Sequence, residues 1–114
     1  IIVPCDKLEN ICKDINYLDT IIFMDTQGFE GHILAGAKKL IDQKVPIVTE
    51  FWPFGLKNSK GFKKFYDSLS NSKYENLYDL RYPNKKIKFS IKALKEIASD
   101  IGYEEHIFTD ILIF

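Results

Sequence analysis

Cysteine is scarce in this chain, and its spacing excludes the usual roles of paired thiols. The only two cysteines are Cys5 and Cys12, seven positions apart. A CxxC redox pair or a zinc half-site needs a closer spacing. Cys12 falls on the apolar stripe of a short predicted helix, which indicates a buried free thiol. Together with the absence of a signal peptide, this favours a cytoplasmic location.

Excess charge of one sign and long apolar runs are also missing. The 16 acidic side chains balance 16 basic ones, so the net charge gives no electrostatic reason to expect nucleic acid or an acidic membrane as a partner. The basic run at 85–88 adjoins a proline and is interpreted as a solvated turn. No apolar run is long enough to span a bilayer. The composition therefore describes one domain without a membrane span.

Several catalytic and nucleotide-binding motifs are absent as well. There is no GxGxxG or GxxxxGK loop, and no serine or cysteine lies in a nucleophile elbow. His32 has no second ligand one helical turn further on, so no metal site is predicted. The first residue is Ile1 and the only methionine is Met24, so we expect the chain to be part of a longer protein.

The most informative stretch is 21–53, where two apolar runs flank a helical segment. The runs at 21–24 and 45–48 do not alternate with polar residues, which is typical of parallel strands buried on both faces. Asp25 and Glu50 stand at the ends of these two strands. Ligands of open α/β sheets bind beyond the carboxyl ends of the strands, so we expect both acids on one rim.

Periodicity predicts alternating strands and helices along the whole chain. Strands are predicted at 1–3, 20–25, 45–51, 75–81 and 106–114, with helices at 6–15, 30–43, 59–70 and 90–101. Residues 52–55 are predicted to form an aromatic loop and 82–85 a turn. The alternation predicts right-handed crossovers and an α/β fold with a mostly parallel sheet.

Asp25 is the strongest candidate for a catalytic residue. A carboxylate at a strand tip can accept a proton or bind a hydroxyl or ammonium group of a ligand. The alternative is a structural acid that bonds the amides of the turn at 27–31. Glu30 is a second candidate, although the helix dipole alone would favour an acid there. Gly28 permits a positive φ or a close backbone approach, and Gln27 can bond either a ligand or the turn.

Glu50 and Trp52 are the candidates for substrate binding. A carboxylate beside an indole can form the wall of a pocket, and the face of a tryptophan suits a cationic or planar group. The alternative is an indole that packs over the sheet edge. His106 is interpreted as a surface residue before the last strand.

The string IIFMDTQGFEGHILAGAKKLI, followed by PIVTEFWPFGL, resembles the FkbM family of S-adenosylmethionine-dependent methyltransferases. The family pattern is a strand ending in Asp, then x-Glu-Gly-x-Glu, a helix with Leu-x-Gly-Ala, and a strand ending in Glu. The chain matches this pattern at Asp25, Gly28, Glu30, Leu34, Gly36, Ala37 and Glu50. It departs from the pattern at Gln27, where the family usually has Glu, and at Phe23, where the family often has Lys.

The resemblance implies the carboxyl-terminal part of a class I, Rossmann-like methyltransferase fold. The strand at 20–25 would be the fourth of seven, and the strand at 106–114 the seventh, antiparallel to its neighbours. Helices would cover both faces of the sheet. The first three strands, which carry the glycine-rich cofactor loop and the ribose-binding acid, would lie outside the chain.

For the site, the resemblance implies that S-adenosylmethionine contacts Asp25, Gln27 and Gly28. Asp25 or Glu30 would act as the base or orienting group, and the acceptor would meet Glu50 and Trp52. The implied reaction is O-methylation of a hydroxyl on a sugar, a lipid-linked glycan or a natural product, with the cofactor poorly bound by these residues alone.

A non-catalytic α/β binding domain derived from the same fold is the alternative function, and it is favoured by Gln27, which lacks the family's charge. A receiver-like domain with Asp25 as phosphoacceptor is a third hypothesis, but it would need a further acidic pair at the first strand and a strand-tip lysine, neither of which the chain has. In the methyltransferase interpretation the strand at 20–25 becomes an apolar edge, which favours self-association.

Overall fold

Six α-helices and five β-strands form the structure, a computed structural model that describes residues 1–114. The helices are α1 Leu8–Ile11, α2 Glu30–Leu34, α3 Lys38–Asp42, α4 Pro53–Asn58, α5 Phe62–Ser70 and α6 Ile91–Ile101. The strands are β1 Ile22–Met24, β2 Ile47–Phe51, β3 Asn76–Asp79, β4 Ile87–Lys88 and β5 Thr109–Ile113. A 3-10 turn at Tyr17–Asp19 precedes β1.

The sheet is mixed, with the strand order β1-β2-β5-β3-β4. β1 and β2 are parallel, whereas β5 is antiparallel to both β2 and β3, and β4 is antiparallel to β3. The predicted antiparallel last strand is confirmed, and the predicted mostly parallel sheet is wrong. β1, β2 and β3 do point the same way, but β5 inserts between β2 and β3 and makes the central pairings antiparallel.

Only one face of the sheet is covered by helices. The strand residues that join the single hydrophobic core are Ile22, Met24, Ile47, Phe51, Leu77, Ile111 and Ile113. On the opposite face Phe23, Val48, Leu112 and Tyr78 are neighbours in register, and Phe23 is 74% exposed. The buried residues of the helices form one core cluster with the strand residues of the first face. The expectation of helices on both faces is therefore wrong.

The segment predicted as one helix at 30–43 is two helices, α2 and α3. Gly36 and Ala37 lie between them, and the backbone of Ala37 leaves the helical region with φ −122°. Both glycines of this segment lie close to other parts of the chain. A Cβ on Gly31 would lie 2.1 Å from the carbonyl oxygen of Gly61, and a Cβ on Gly36 would lie 3.3 Å from Lys7 Cα.

The amino-terminal segment differs most from the prediction. Residues 1–3 form no strand and are exposed, because no other strand is beside them. α1 spans only four residues, and its N-cap is Lys7. Asp6 accepts hydrogen bonds from Lys7 N and Asn10 Nδ2, while Glu9 accepts from Lys39 N. Asp6 and Glu9 have the spacing of a capping box, but these bonds show that they do not form one.

Two elements were not predicted, namely α4 and β4. α4 replaces part of the predicted aromatic loop and begins at Pro53, whose fixed φ suits a first helical position. β4 lies in the basic run interpreted as a turn, although the turn at 82–85 itself is present. The helix predicted at 90–101 is confirmed as α6, and its first residue, Ser90, is the N-cap, since Ser90 Oγ accepts from Ala93 N. α5 begins after Gly61, not at Ser59.

The far end of β3 is held by a buried carboxylate, Asp79, which is 3% exposed. It accepts hydrogen bonds from Arg81 and from Thr109 Oγ1, and Arg81 also pairs with Asp100 of α6. Burial alone would raise the pKa of Asp79, but these hydrogen bonds outweigh burial and lower it. This acid therefore ties β3, β5 and α6 together and is structural.

Neither cysteine is bonded, and Cys12 is half-buried, not buried as predicted. None of the helices combines the length and the hydrophobicity that a membrane crossing would require.

Candidate functional site

An acidic cleft of about 460 Å³ lies at the carboxyl ends of β1 and β2. Asp25 and Glu50 both face it, so the expectation that the two strand-tip acids share one rim is confirmed. Because β5 runs antiparallel, its amino-terminal end and the loop before it meet the same rim. The lining side chains are Asp25, Gln27, Glu50, Trp52, Glu105, His106, Phe108 and Asp110.

Glu50 is the buried acid of this cleft. It lies on β2 directly opposite Asp110 of β5, an arrangement that brings like charges together and is unfavourable between neighbouring strands. Its side chain is 6% exposed, and its Oε2 has no hydrogen-bond partner. Burial, followed by repulsion from Asp25, Glu30 and Asp110, raises the pKa of Glu50 to about 7. Glu50 therefore exchanges its proton near neutral pH.

Asp25 stands at the end of β1 and is exposed to the cleft. Its Oδ1 accepts a hydrogen bond of 2.9 Å from Gln27 Nε2. Gln27 takes a left-handed backbone conformation with φ 54°, which turns the chain back after the strand. The alternative for Asp25 was a structural acid bonded to backbone amides of the turn. Instead, the Asp25 carboxylate accepts a hydrogen bond only from the side chain of Gln27.

Glu30 has the structural role that was considered for Asp25. It is fully buried, and its Oε1 accepts from Thr26 N and Thr26 Oγ1 at 2.9 Å and from Gly28 N at 3.4 Å. These bonds fix the turn between β1 and α2. Glu30 lies below the turn and does not line the cleft.

Gly28 brings the turn into contact with α4. Its φ of 94° favours glycine, and a Cβ there would lie 2.5 Å from the carbonyl carbon of Gly55. The carbonyl oxygen of Gly28 accepts from Ser59 Oγ at 2.6 Å. The turn that carries Gln27 is thereby attached to the helix that follows β2.

Trp52 forms a fixed wall of the cleft. Its Nε1 donates to the carbonyl oxygen of Glu105 at 2.9 Å, which anchors the loop before β5. The opposite part of the indole packs on Gly55, where a Cβ would lie 2.1 Å from the ring. Phe54 contacts it with ring centroids 5.5 Å apart. The indole both packs at the sheet edge and faces the cleft.

Four residues that line the cleft were not predicted as site residues from the sequence, namely Glu105, His106, Phe108 and Asp110. Asp110 has no signal of its own, since it is recognisable only once β5 is known to lie beside β2. His106 is exposed as predicted, yet it lines the cleft because the Trp52–Glu105 bond folds its loop over the rim.

No metal centre is present among these residues. Nowhere in the chain do three carboxylate, imidazole or thiol groups lie close enough together to hold one ion. His32 contacts the Ser59 carbonyl oxygen through Nε2 at 2.9 Å and Lys64 Nζ through Nδ1 at 3.0 Å. Because the ammonium of Lys64 can only donate, Nδ1 accepts from it and Nε2 donates to the Ser59 carbonyl oxygen.

Comparison with known proteins gives no relative, since no protein-family model, curated protein or solved structure matches this chain. Its function is therefore argued from the cleft and from the residues that line it.

Proposed function

We propose that the chain forms the acceptor side of an S-adenosylmethionine-dependent O-methyltransferase similar to the FkbM family. The acceptor is a hydroxyl group on a sugar, a lipid-linked glycan or a natural product. The observation that carries the proposal is the meeting of Asp25 and Glu50 in one cleft at the ends of neighbouring parallel strands. These are the two strand-tip acids of the pattern that resembles the family.

The arrangement of strands also supports the proposal. The resemblance implies a last strand antiparallel to its neighbours, and β5 is antiparallel on both sides. β1 is an edge strand, in agreement with a fold in which it pairs with a further strand.

The residues on the β1 side of the cleft suit a cationic cofactor. S-adenosylmethionine would supply the methyl group, and Asp25 and Gln27 would hold it, while Gly28 is buried outside the cleft lining and would act only by shaping the turn behind them. The carboxylate of Asp25 is exposed to the cleft and bonded through one oxygen only, to a neutral amide. A carboxylate in that state favours a neighbouring positive charge.

Asp25 is the group best suited to take the proton of a hydroxyl acceptor, because its carboxylate is exposed to the cleft at the tip of β1. Glu50 and Trp52 hold the acceptor beside it, and Glu30 positions the turn below them. Methyl transfer depends mainly on alignment, which the fixed indole of Trp52 and the turn at Gln27 supply.

A non-catalytic binding domain is the second candidate. The observation in its favour is the hydrogen bond from Gln27 to Asp25, because a neutral amide in place of an acid cannot move a proton. Such a domain would bind an acceptor-like ligand in the cleft without transferring a methyl group to it.

The test is a label-transfer assay with methyl-labelled S-adenosylmethionine and a panel of hydroxyl acceptors. It uses the 114-residue chain and the product of the longest open reading frame that contains it. We expect the protein that binds the cofactor to transfer the methyl group. Its rate of transfer should fall roughly 100-fold or more in Asp25→Asn and Glu50→Gln. Asp67→Asn is the matched control, since Asp67 is an exposed acid on α5 paired with Lys63.

The 114-residue chain alone should bind S-adenosylmethionine more weakly than micromolar in a calorimetric titration. The resemblance assigns the ribose-binding acid and the glycine-rich loop to strands other than these. Transfer that is absent from every product, while an acceptor still binds in the cleft, would favour the binding domain and overturn the methyltransferase.

A further inference from the structure

We propose that the acidic cleft binds the primary ammonium group of an amine-bearing acceptor, such as an amino sugar, between Glu50 and the face of Trp52. This inference rests on the proposed function and specifies the class of its acceptor. The acceptor then has two groups that matter: the hydroxyl, which receives the methyl group, and the ammonium group, by which the cleft recognises the acceptor.

The first observation is the unpartnered oxygen of Glu50. Its side chain is 94% buried, given 6% exposure, and it lines the cleft with Oε2 free of any hydrogen bond. Buried carboxylate oxygens are nearly always bonded, and an exception calls for a donor that the protein itself does not supply. Glu30 Oε2 is buried without a partner as well, but Glu30 does not line the cleft, so of these two carboxylates only Glu50 can accept a donor from a ligand there.

The second observation is the charge of the lining. Asp25, Glu50, Glu105 and Asp110 all contribute carboxylates, and no lysine or arginine is present to balance them. The positive charge missing from this wall therefore comes with the ligand. A neutral polyol would leave the repulsion between Glu50 and Asp110 in place, whereas an ammonium group removes it.

An organic cation fits the cleft better than a metal ion. No three ligating side chains converge on one point, so a metal ion could not complete its coordination with protein groups. The half-buried indole of Trp52 offers instead a face on which ammonium groups are attracted. Its bond to Glu105 and its packing on Gly55 hold that face in place before a ligand arrives.

Binding should depend on pH through Glu50. The titratable groups that face it are Asp25 of the β1 tip, Glu30 below the turn, Asp110 on β5, and Glu105 and His106 of the preceding loop. Since burial and its acidic neighbours raise the pKa of Glu50 to about 7, the carboxylate is protonated in part at pH 6 and ionised at pH 8. An ammonium ligand therefore binds more tightly at pH 8.

The test uses the fluorescence of Trp52, the only tryptophan of the chain. The probes are 1-amino-1-deoxysorbitol and sorbitol, which differ only in the amine, at constant ionic strength. An aliphatic amine keeps its proton up to about pH 10, so the probe stays charged throughout. We expect a saturable response to the amine, with sorbitol roughly tenfold or more weaker at pH 8, and a smaller preference for the amine at pH 6.

Glu50→Gln should weaken binding of the amine about tenfold and remove its pH dependence, whereas Asp67→Asn should change neither. Asp110→Asn is a second variant in the same cleft and should weaken binding less, since Asp110 is exposed. Circular dichroism verifies that each variant is folded. Equal responses to the amine and sorbitol, or an unchanged affinity in both cleft variants, would overturn the proposal.

Methionine serves as a further probe because the cofactor also carries an ammonium group. If methionine binds more tightly than the amino polyol, with the same loss in Glu50→Gln, the ammonium site belongs to the cofactor and the acceptor assignment is wrong. The label-transfer assay separates the two proposals. Methylation of neutral acceptors with no preference for amines would overturn this inference alone, whereas amine binding without transfer would overturn the methyltransferase alone.

Discussion

Glu50 is the residue whose environment is most unfavourable to its own charge. It is buried opposite Asp110, and its pKa is raised to about 7. A group whose pKa is higher in the folded than in the unfolded state stabilises the fold below the unfolded pKa. That stabilisation is lost as the pH rises through the folded value. We therefore expect the chain to lose stability between about pH 4.5 and pH 7.

Glu50→Gln should remove this loss, because the amide keeps the shape of the side chain and carries no charge. At 1.36 kcal/mol per pKa unit, the variant should be more stable than the natural chain by on the order of 3 kcal/mol at pH 8, and similar to it at pH 4. Urea unfolding at several pH values measures the difference. A constant offset between the two proteins across this range would contradict the raised pKa.

Single residues of the site were only partly predictable from the sequence. The strand-tip positions of Asp25 and Glu50 followed from where the apolar runs stop, which is a local property. The roles of Asp25 and Glu30 could not be separated in this way, since both flank the same turn and only the folded backbone decides which carboxylate meets the amides. Asp110 lies in the cleft because β5 pairs with β2, which places it opposite Glu50, 60 positions earlier in the sequence. A local sequence pattern cannot predict such a pairing.

At the scale of elements, the turn between β1 and α2 depends on Gly28, and Gly102 offers a matched control. Both have positive φ, 94° and 85°, so alanine strains the backbone at either position by roughly 1–3 kcal/mol. Only at Gly28 does a Cβ also meet backbone, 2.5 Å from Gly55, whereas nothing lies within 4 Å of a Cβ at Gly102.

Gly28→Ala should therefore destabilise the fold by about 2 kcal/mol more than Gly102→Ala in urea unfolding. It should also shift the fluorescence of Trp52, because Gly55 lies directly under the indole. Equal losses of stability in the two variants would mean that the turn does not press on α4.

Elements whose signals are local were predicted well. α6 has a serine cap, an apolar stripe and a terminal glycine, and each is found where the sequence places it. The segment at 30–43 has an equally regular stripe but divides at Gly36 and Ala37, where the backbone of Ala37 leaves the helical region. Residues 1–3 are apolar enough for a strand, yet a strand also needs a partner, which their composition does not reveal.

At the scale of the whole molecule, the prediction of the sheet failed on pairing and not on direction. The alternation of strands and helices correctly makes β1, β2 and β3 point the same way. It does not say that the last strand returns between two earlier ones, which changes most pairings to antiparallel. The position of β5 depends on which strands of the sheet still lack a neighbour, and that depends on the fold of the whole chain.

The two edges of the sheet are unequally protected, and this difference leads to a prediction about self-association. β4 is two residues long, contains Lys88 and directly follows Lys85 and Lys86, which discourages pairing with another chain. β1 pairs only with β2, so it leaves one row of backbone groups free beside the exposed side chains of Ile21 and Phe23. We expect a second copy of the chain to associate along β1 as the concentration rises.

Phe23→Lys should reduce this association, because a charge on the open face of the edge strand opposes pairing with an identical strand. Leu18→Lys is the control, since Leu18 is 94% exposed but lies in the 3-10 turn and not on the sheet. Sedimentation velocity over a range of concentrations measures the mass of each protein. If the natural chain stays monomeric throughout, or if both lysine variants lower the association equally, the β1 edge is not where two copies meet.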